Sequence, residues 1–262
     1  MLDIVHLRER INTGEPVIGI WNTLGSFLVT EILAKAGLDF QIIDLEHGVF
    51  SLKDIHRHVA AAESAGNCSP IVRIPVPENW MALQALDQGA HGLVVPHVEN
   101  RPDAEQIVAA SKYSPDGERG FSPFTKAGGF TNERGSQYPK DANNKLVNVA
   151  IIESTSGLRN LDKIIEVPGI DVVYFGAYDL SQVLGVPGET KHPKVVKAIQ
   201  RGAEKVIKYG KYAGGFVPLT VDDMKWNLDI GMNFVTYSVD SAMVFSNMQT
   251  VVNSFLKETR SR

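Results

Sequence analysis

The chain has 262 residues, 44% of them hydrophobic, which suits one domain of roughly 250 residues with a sizeable buried core. Its formal net charge of −4, with no run of lysine or arginine, argues against binding to nucleic acid or to an anionic membrane. The chain has a single cysteine, Cys68, so it cannot form an intramolecular disulfide. No apolar stretch approaches the ~20 residues of a membrane span, and the N-terminus is charged, unlike that of a signal peptide. We therefore expect a cytoplasmic location.

The first part of the chain alternates between short apolar runs and helical stretches. A helix is predicted over residues 2–13, where it would cap one end of the fold, and Gly14 ends it. Ser26 is the predicted N-cap of a second helix, which ends at Gly37. The predicted strands here are 17–22, 40–45, 70–75 and 92–98, and the further helices are 51–65, 79–88 and 102–112. Such runs indicate parallel strands buried on both faces.

Residues 113–145 interrupt this alternation with glycines, polar residues and few aliphatic side chains. A segment of this length inside a domain is usually functional or mobile, and we expect a partly ordered flap or a subunit contact. The alternation then resumes, with predicted strands 147–153, 172–176, 213–217 and 234–239 and helices 156–166, 193–209, 221–230 and 240–258.

Eight strands alternating with helices predict an α/β fold, a (β/α)₈ TIM barrel with an N-terminal capping helix, formed by residues 1–262 as a single domain. The competing topology is a doubly wound open sheet. It is disfavoured because no G-x-G-x-x-G follows the first strand and the strands are evenly spaced. In a barrel of this kind the carboxyl ends of all strands open onto one face, so reactive side chains at strand ends are the candidates for an active site.

Two strand ends carry carboxylates. Glu153 ends the fifth strand in IIES, and Asp179 follows the sixth in GAYDLS. Without a histidine or cysteine beside them they suit a hard cation such as Mg²⁺ or Mn²⁺, whose open positions would take water and a bidentate 2-oxo acid. The alternative is that each carboxylate caps the following helix, and for either residue alone the two interpretations are about equal. Their placement on adjacent strands favours the metal.

Arg73 and His47 are further candidates. Arg73, among aliphatic residues in PIVRIP, offers a permanent charge to an oxyanion such as an enolate; the alternative is a buried ion pair with Asp44 or Glu46, which would also orient it. His47 follows Asp44 by three residues, and a carboxylate that accepts one ring N–H would orient the imidazole as a general base. A lone histidine is more often structural, and His97, which also ends a strand, is expected in the pocket wall.

The turn before Asp179 is a candidate anion site. Gly176, Ala177 and Tyr178 lie where the sixth strand turns into a helix. Exposed backbone N–H groups converge on negative charge at such a turn, so a substrate carboxylate is expected to bind there.

The chain resembles the HpcH/HpaI aldolases, which are metal-dependent class II pyruvate aldolases of the phosphoenolpyruvate/pyruvate barrel superfamily. The matching stretches run in order along nearly the whole chain: GIWNTLGS, IIDLEHG, IVRIP, GLVVPHVEN, YSPDGERG, IIES, GAYDLSQVLG and FVTYSVD. The resemblance implies that Glu153 and Asp179 are the metal ligands. It also implies that Arg73 contacts the keto oxygen of pyruvate, and that His47 with Asp44 forms an acid/base dyad.

The resemblance extends to the substrate pocket and to partners. Trp21 and Phe216 are expected to line the pocket. The metal is expected to be Mg²⁺ or Mn²⁺, with Co²⁺ as a further candidate. The resemblance also implies a homo-oligomer, commonly a hexamer built from dimers that exchange the last barrel helix. Three positions depart from the family pattern: Ile151 replaces a glutamine, Ala177 a proline, and Phe216 a leucine. The departures predict a smaller or differently shaped acceptor pocket.

The predicted function is reversible aldol chemistry: cleavage of a 4-hydroxy-2-oxo acid to pyruvate and an aldehyde through a metal-stabilised enolate. A decarboxylase or acyl-CoA lyase of the same superfamily would use the same enolate. A non-catalytic barrel that binds 2-oxo acids is the alternative from a different class. Schiff-base catalysis is disfavoured because no lysine ends a predicted strand.

Overall fold

A closed barrel of eight parallel strands forms the centre of the computed structural model, which describes residues 7–64, 66–218 and 220–260. Each strand pairs with the next, and the last pairs with the first. The strands are β1 (Val17–Asn22), β2 (Phe40–Asp44), β3 (Ser69–Arg73), β4 (Gly92–Val95), β5 (Val147–Ile152), β6 (Val172–Phe175), β7 (Tyr212–Val217) and β8 (Phe234–Val239). The predicted (β/α)₈ barrel is confirmed.

Helices surround the barrel between the strands. They are α1 (Leu7–Thr13), α2 (Phe27–Lys35), α3 (Ile55–Glu63), α4 (Asn79–Asp87), α5 (Arg101–Ser111), α6 (Gln137–Lys145), α7 (Thr155–Ile165), α8 (Ala177–Val183), α9 (Pro193–Lys208), α10 (Val221–Asp229) and α11 (Asp240–Arg260). The Ser26 side chain accepts a hydrogen bond from the backbone N–H of Val29, as its predicted capping role requires. Within the described residues no helix is both long and apolar enough to cross a membrane.

The core has two layers because alternate strand residues face opposite sides. In β2, Phe40 and Ile42 belong to the cluster inside the barrel, whereas Ile43 packs with the helices outside it. Phe40 stacks on Phe234 with their ring centroids 4.1 Å apart. A Cβ at Gly19 would lie 2.4 Å from the Phe40 ring, so only glycine leaves room for this stack.

The predicted capping helix is present as α1. Leu7 and Ile11 are buried, and the Leu7 N–H donates to Ser69 Oγ at the start of β3 over 2.8 Å. Arg8 forms an ion pair with Asp171, just before β6, at 2.6 Å. The helix therefore closes the floor, the end at which the strands begin; the part predicted over residues 2–6 lies outside the described residues.

The segment predicted as a break contains a helix, α6, which the polar composition of QYPKDANNK did not indicate. The segment is attached beside the floor, because Arg119 pairs with Asp87 at 2.7 Å and Lys126 pairs with Glu63 at 2.6 Å, at the carboxyl ends of α4 and α3. This placement does not fit a flap over the mouth, and the subunit contact stays a prediction. The helix predicted over 51–65 begins as a 3₁₀ turn, Leu52–Asp54, and residue 65 lies outside the described residues.

Candidate active site

A cleft of about 640 Å³ opens at the carboxyl ends of the strands. All of the site residues predicted from the sequence lie in its wall: Trp21, Asp44, His47, Arg73, Glu153, Gly176, Ala177, Tyr178, Asp179 and Phe216. They come from six different strands or the loops that follow them, so only the closure of the barrel brings them together.

Glu153 lies just past β5 and is 7% exposed. Its Oε1 accepts a hydrogen bond from the His97 backbone N–H at 2.7 Å and lies 2.7 Å from His97 Nδ1. Burial raises the pKa of Glu153, and the nearby charges of Asp179 and Glu46 add to the shift, although the His97 contacts oppose it. A buried carboxylate that is difficult to ionise alone is a site that a cation would stabilise.

The capping interpretation of Glu153 is wrong. Ser154 is the N-cap of α7, and its side chain accepts a hydrogen bond from the Gly157 N–H at 3.0 Å. Glu153 is therefore free to face the cleft. A Cβ on Gly176 would lie 3.0 Å from Glu153 Oε2, so the glycine leaves the space that this carboxylate occupies.

Asp179 lies in the first turn of α8 and also lines the cleft, whereas the N-cap position is held by Gly176. The Gly176 N–H donates to the Ile152 carbonyl at 3.1 Å, which removes it from the predicted anion site. That site is therefore reduced to the first N–H groups of α8, at Ala177 and Tyr178.

Arg73 is held by two carboxylates at the mouth. Its Nε donates to Asp44 Oδ1 at 2.7 Å, a second nitrogen donates to Asp44 Oδ2, and a third lies 3.0 Å from Glu46 Oε2. Asp44 and Arg73 are register partners on β2 and β3, and the guanidinium lies 4.3 Å from the centre of the Trp21 ring. The arginine is thus fixed in position and is 10% exposed toward the cleft.

The structure corrects the predicted Asp44–His47 dyad. Asp44 Oδ1 accepts the backbone N–H groups of Glu46 and His47, at 3.0 and 3.1 Å, while the carboxylate binds the guanidinium. The three-residue spacing between Asp44 and His47 therefore reflects a turn that the Asp44 carboxylate caps, and not an imidazole that the carboxylate orients. The exposed His47 ring lines the cleft and has no hydrogen bond to Asp44 in the described part of the chain.

His97, which was expected in the pocket wall, is not among the residues that line the cleft, but it contacts two of the carboxylates at the mouth. Besides its contacts with Glu153, its Nε2 lies 3.5 Å from Glu46 Oε1, and its backbone has a φ of 58°. A left-handed conformation is uncommon for a residue other than glycine and often marks a functional position. The carboxylates come from other strands, so no local spacing in VPHVEN could indicate them.

Asp240 is a residue that the sequence did not single out. It is buried at the start of α11, and its carboxylate accepts the N–H groups of Thr23 and Leu24 at 2.9 and 3.0 Å. It therefore fixes the loop after β1, which carries one edge of the cleft.

The residues present fit a hard divalent cation. Asp44, Glu46, Glu153 and Asp179 place four carboxylates near one guanidinium, which leaves the mouth negative. Within the described ranges no cluster of three or more His, Cys, Asp or Glu forms a complete metal cage. Glu153 and Asp179 would thus supply two oxygen ligands and leave positions for substrate and water, as Mg²⁺ commonly requires.

Comparison with known proteins points to one family. Residues 18–247 match the family model for HpcH/HpaI aldolase/citrate lyase proteins. A hydroxypyruvate/pyruvate aldolase of Roseobacter denitrificans is 34% identical over 247 residues, 93% of this chain and 94% of the relative. A 2-keto-3-deoxy-L-rhamnonate aldolase of Escherichia coli is 34% identical, covering 92% of this chain and 88% of the relative. The HpcH/HpaI aldolase structure from Desulfitobacterium hafniense superposes with a TM-score of 0.91 at 29% identity, covering 95% and 96% of the two chains.

Proposed function

Because the chain belongs to the HpcH/HpaI aldolase/citrate lyase family, we propose that its barrel mouth cleaves a 4-hydroxy-2-oxo acid to pyruvate and an aldehyde. It is an aldolase of the metal-dependent class II, and the whole chain acts as one aldolase domain. The observation that carries the proposed reaction is the convergence of Glu153, Asp179 and Arg73 on one cleft.

The site contains groups that would stabilise the negative charge that develops on the keto oxygen during the reaction. A divalent cation, Mg²⁺ or Mn²⁺, held by Glu153 and Asp179 would stabilise charge on the keto oxygen of the substrate. Arg73 retains N–H groups beyond those that Asp44 and Glu46 accept, and it can donate them to the same oxygen as its charge grows. Because Asp44 and Trp21 already hold the guanidinium, little reorganisation is needed at that moment.

The bond changes balance without a further reactant. The C3–C4 bond breaks, its electron pair stays on C3 in conjugation with the keto group, and the 4-hydroxyl proton leaves as the aldehyde carbonyl forms. Protonation of C3 then gives the methyl group of pyruvate. His47 is the side chain in the cleft wall that we assign to the hydroxyl proton, and the Ala177 and Tyr178 N–H groups are assigned to the substrate carboxylate.

Hydrogen exchange in pyruvate tests this function without knowledge of the aldehyde. With Mg²⁺ or Mn²⁺ in D₂O, the enzyme should exchange the methyl protons of pyruvate, which proton NMR follows directly. EDTA should stop the exchange, and added metal should restore it. No exchange with any divalent ion would contradict the proposed reaction, and exchange that survives complete metal removal would contradict its metal dependence.

Replacement of His47 by alanine should reduce aldol cleavage by roughly the 10²–10⁴-fold typical of general acid–base catalysis, with metal affinity unchanged. The kcat/KM of cleavage measures the loss, and titration of the metal-free variant with Mn²⁺ measures its metal affinity. His56→Ala, at an exposed position on α3, is the matched control and should behave as wild type. Cleavage by His47→Ala at the wild-type rate would assign the proton to another group.

A homo-oligomer is the assembly that the surface favours. Only Asp240 of α11 is buried, and the helix exposes an apolar stripe at three- and four-residue spacing: Val244, Phe245, Met248, Val251, Val252, Phe255 and Leu256. Phe27, Leu28 and Ile32 on α2 are exposed as well. So large an apolar surface is typical of an interface, and we propose that a second copy of the chain covers it, as in the implied exchange of the last helix within a hexamer.

Substitution in this stripe should dissociate the assembly. Each buried phenylalanine contributes about 1.5–3 kcal/mol, so Phe245→Asp should raise the dissociation constant at least about tenfold. Sedimentation velocity over a concentration series measures the change. Asn253→Asp, an exposed polar position on the same helix, adds the same charge and should leave the assembly intact. A wild-type protein that sediments as a monomer would contradict the proposed assembly.

A further inference from the structure

A second cavity of about 310 Å³ lies beside the active-site cleft, between β7, α9 and α10. Ala177 and Phe216 line both spaces, so these two residues form the wall between them. The volume lies near the lower end of the roughly 300–1,000 Å³ of pockets that hold small molecules. Displacement of the Phe216 side chain would therefore open the cavity to a substrate that is bound at the mouth.

The wall of this cavity is mostly apolar. Its hydrophobic residues include Phe175, Val196, Ile199, Pro218, Trp226 and Met232. Its inner side is closed at Gly215, where an added Cβ would lie 2.0 Å from Met232 Sδ and 2.6 Å from Asn227 Oδ1. Because water gains few hydrogen bonds in such surroundings, an apolar group is the occupant that the wall favours.

The two charged side chains in the wall form an ion pair with each other. Among the described residues that line the cavity, Lys191 and Asp223 carry charge, and Lys191 Nζ lies 2.6 Å from Asp223 Oδ1. The lysine side chain is 76% exposed, which places this pair at the rim. The cavity thus presents no unpaired charge to a phosphate or a sugar acid, so a charged or heavily hydroxylated tail is disfavoured.

Phe216 stands between the two spaces. It is only partly buried, and its ring meets the exposed Tyr178 ring with the centroids 5.9 Å apart at 62°. Tyr178 lines the cleft and not the cavity. A chain that leaves the reacting carbon would pass this aromatic pair and reach the apolar wall behind it.

We propose that the cavity holds the tail of the aldehyde half of the substrate, and that this tail is an unbranched alkyl chain of several carbons. This inference rests on the proposed aldol reaction and names its substrate class. Each methylene that enters an apolar wall should raise kcat/KM about fourfold, the equivalent of ~0.8 kcal/mol. Hexanal should therefore exceed acetaldehyde by at least about tenfold as the acceptor for pyruvate.

Two substitutions in the cavity wall test this preference. Val196→Phe places a ring in the cavity and should remove the advantage of hexanal while acetaldehyde still reacts. Trp226→Ala enlarges the cavity and should move the optimum to longer aldehydes. Ile207→Phe makes a similar substitution at an exposed position of α9 outside the cavity, and it should keep the wild-type ratio. Because each ratio is measured within one protein, a loss of folded enzyme cannot imitate opposite shifts.

The outcomes separate this inference from the reaction on which it rests. Exchange of pyruvate methyl protons with no preference for hexanal over acetaldehyde in the wild type would overturn the subsite and keep the aldol function. A preference that Val196→Phe and Ile207→Phe change equally would also overturn it. Absence of pyruvate exchange would instead overturn the function, and the subsite with it.

Discussion

Glu153→Gln and Asp179→Asn are each expected to abolish tight binding of a divalent ion and, with it, aldol activity. A neutral amide replaces an anionic oxygen ligand in each variant, and only two protein ligands are assigned. Affinity should fall by more than the roughly 10–100-fold loss that follows removal of a hydrogen-bond partner of a metal ligand. Titration of the metal-free protein with Mn²⁺, followed by electron paramagnetic resonance, measures the affinity directly.

Two controls make this result specific. His97→Asn removes the ring that contacts Glu153 but keeps a residue type that tolerates the left-handed backbone, so it should show the smaller, roughly 10–100-fold loss. Glu105→Gln neutralises an exposed carboxylate on α5 and should change nothing. Normal Mn²⁺ affinity in both Glu153→Gln and Asp179→Asn would contradict the assigned ligand set.

Acid should weaken the metal-dependent stabilisation of the fold. Burial raises the pKa of Glu153 in the metal-free protein, so that protein gains stability from this group at low pH and loses it as the pH rises through the raised pKa. The cation requires the ionised carboxylate, and its binding compensates the loss. The increase in Tm caused by Mg²⁺ should therefore be larger at pH 8 than at pH 5 and small in Glu153→Gln; an increase independent of pH would contradict it.

The sequence predicted the barrel well because its signals are local. Most strands are short apolar runs buried on both faces, and several helices have an N-cap of their own, as Ser26 and the Val29 N–H illustrate. Helix α6 was missed because its nine residues, QYPKDANNK, bury only Tyr138 and Asn143 and carry almost no apolar period. Its helical state depends on packing beside the floor, which no local pattern encodes.

The sequence predicted which residues line the site, but it did not predict which of them form hydrogen bonds and ion pairs with each other. A strand end is visible in the sequence, and the barrel topology brings all strand ends to one face, so Arg73, Glu153 and Asp179 could be grouped. Which groups then bond depends on the register between strands. Asp44 faces Arg73 because β2 and β3 align these two residues, and this alignment overrides the sequence proximity of His47. His97 reaches Glu153 from another strand for the same reason.

Arg73→Ala should lower turnover by about 10²–10³-fold, the usual cost of removing one donor to a developing oxyanion. Arg73→Lys should recover only part of the loss, because an ammonium group cannot make the paired contacts to Asp44 that fix the guanidinium. The rate of pyruvate methyl exchange is the appropriate measurement, since it isolates the step in which the enolate forms. Unchanged exchange in Arg73→Ala would return the residue to a purely structural role.

Asp44→Asn separates the two roles proposed for that carboxylate. If Asp44 positions Arg73, the variant should slow pyruvate exchange as the Arg73 variants do. The variant should also lower the free energy of unfolding. A broken buried ion pair typically costs about 3–5 kcal/mol. Because Glu46 still contacts the guanidinium, the loss here should not exceed that range. If Asp44 instead orients His47, Asp44→Asn should slow aldol cleavage and leave pyruvate exchange fast. The hydrogen bonds of Asp44, which go to the guanidinium and to backbone N–H groups, favour the first result.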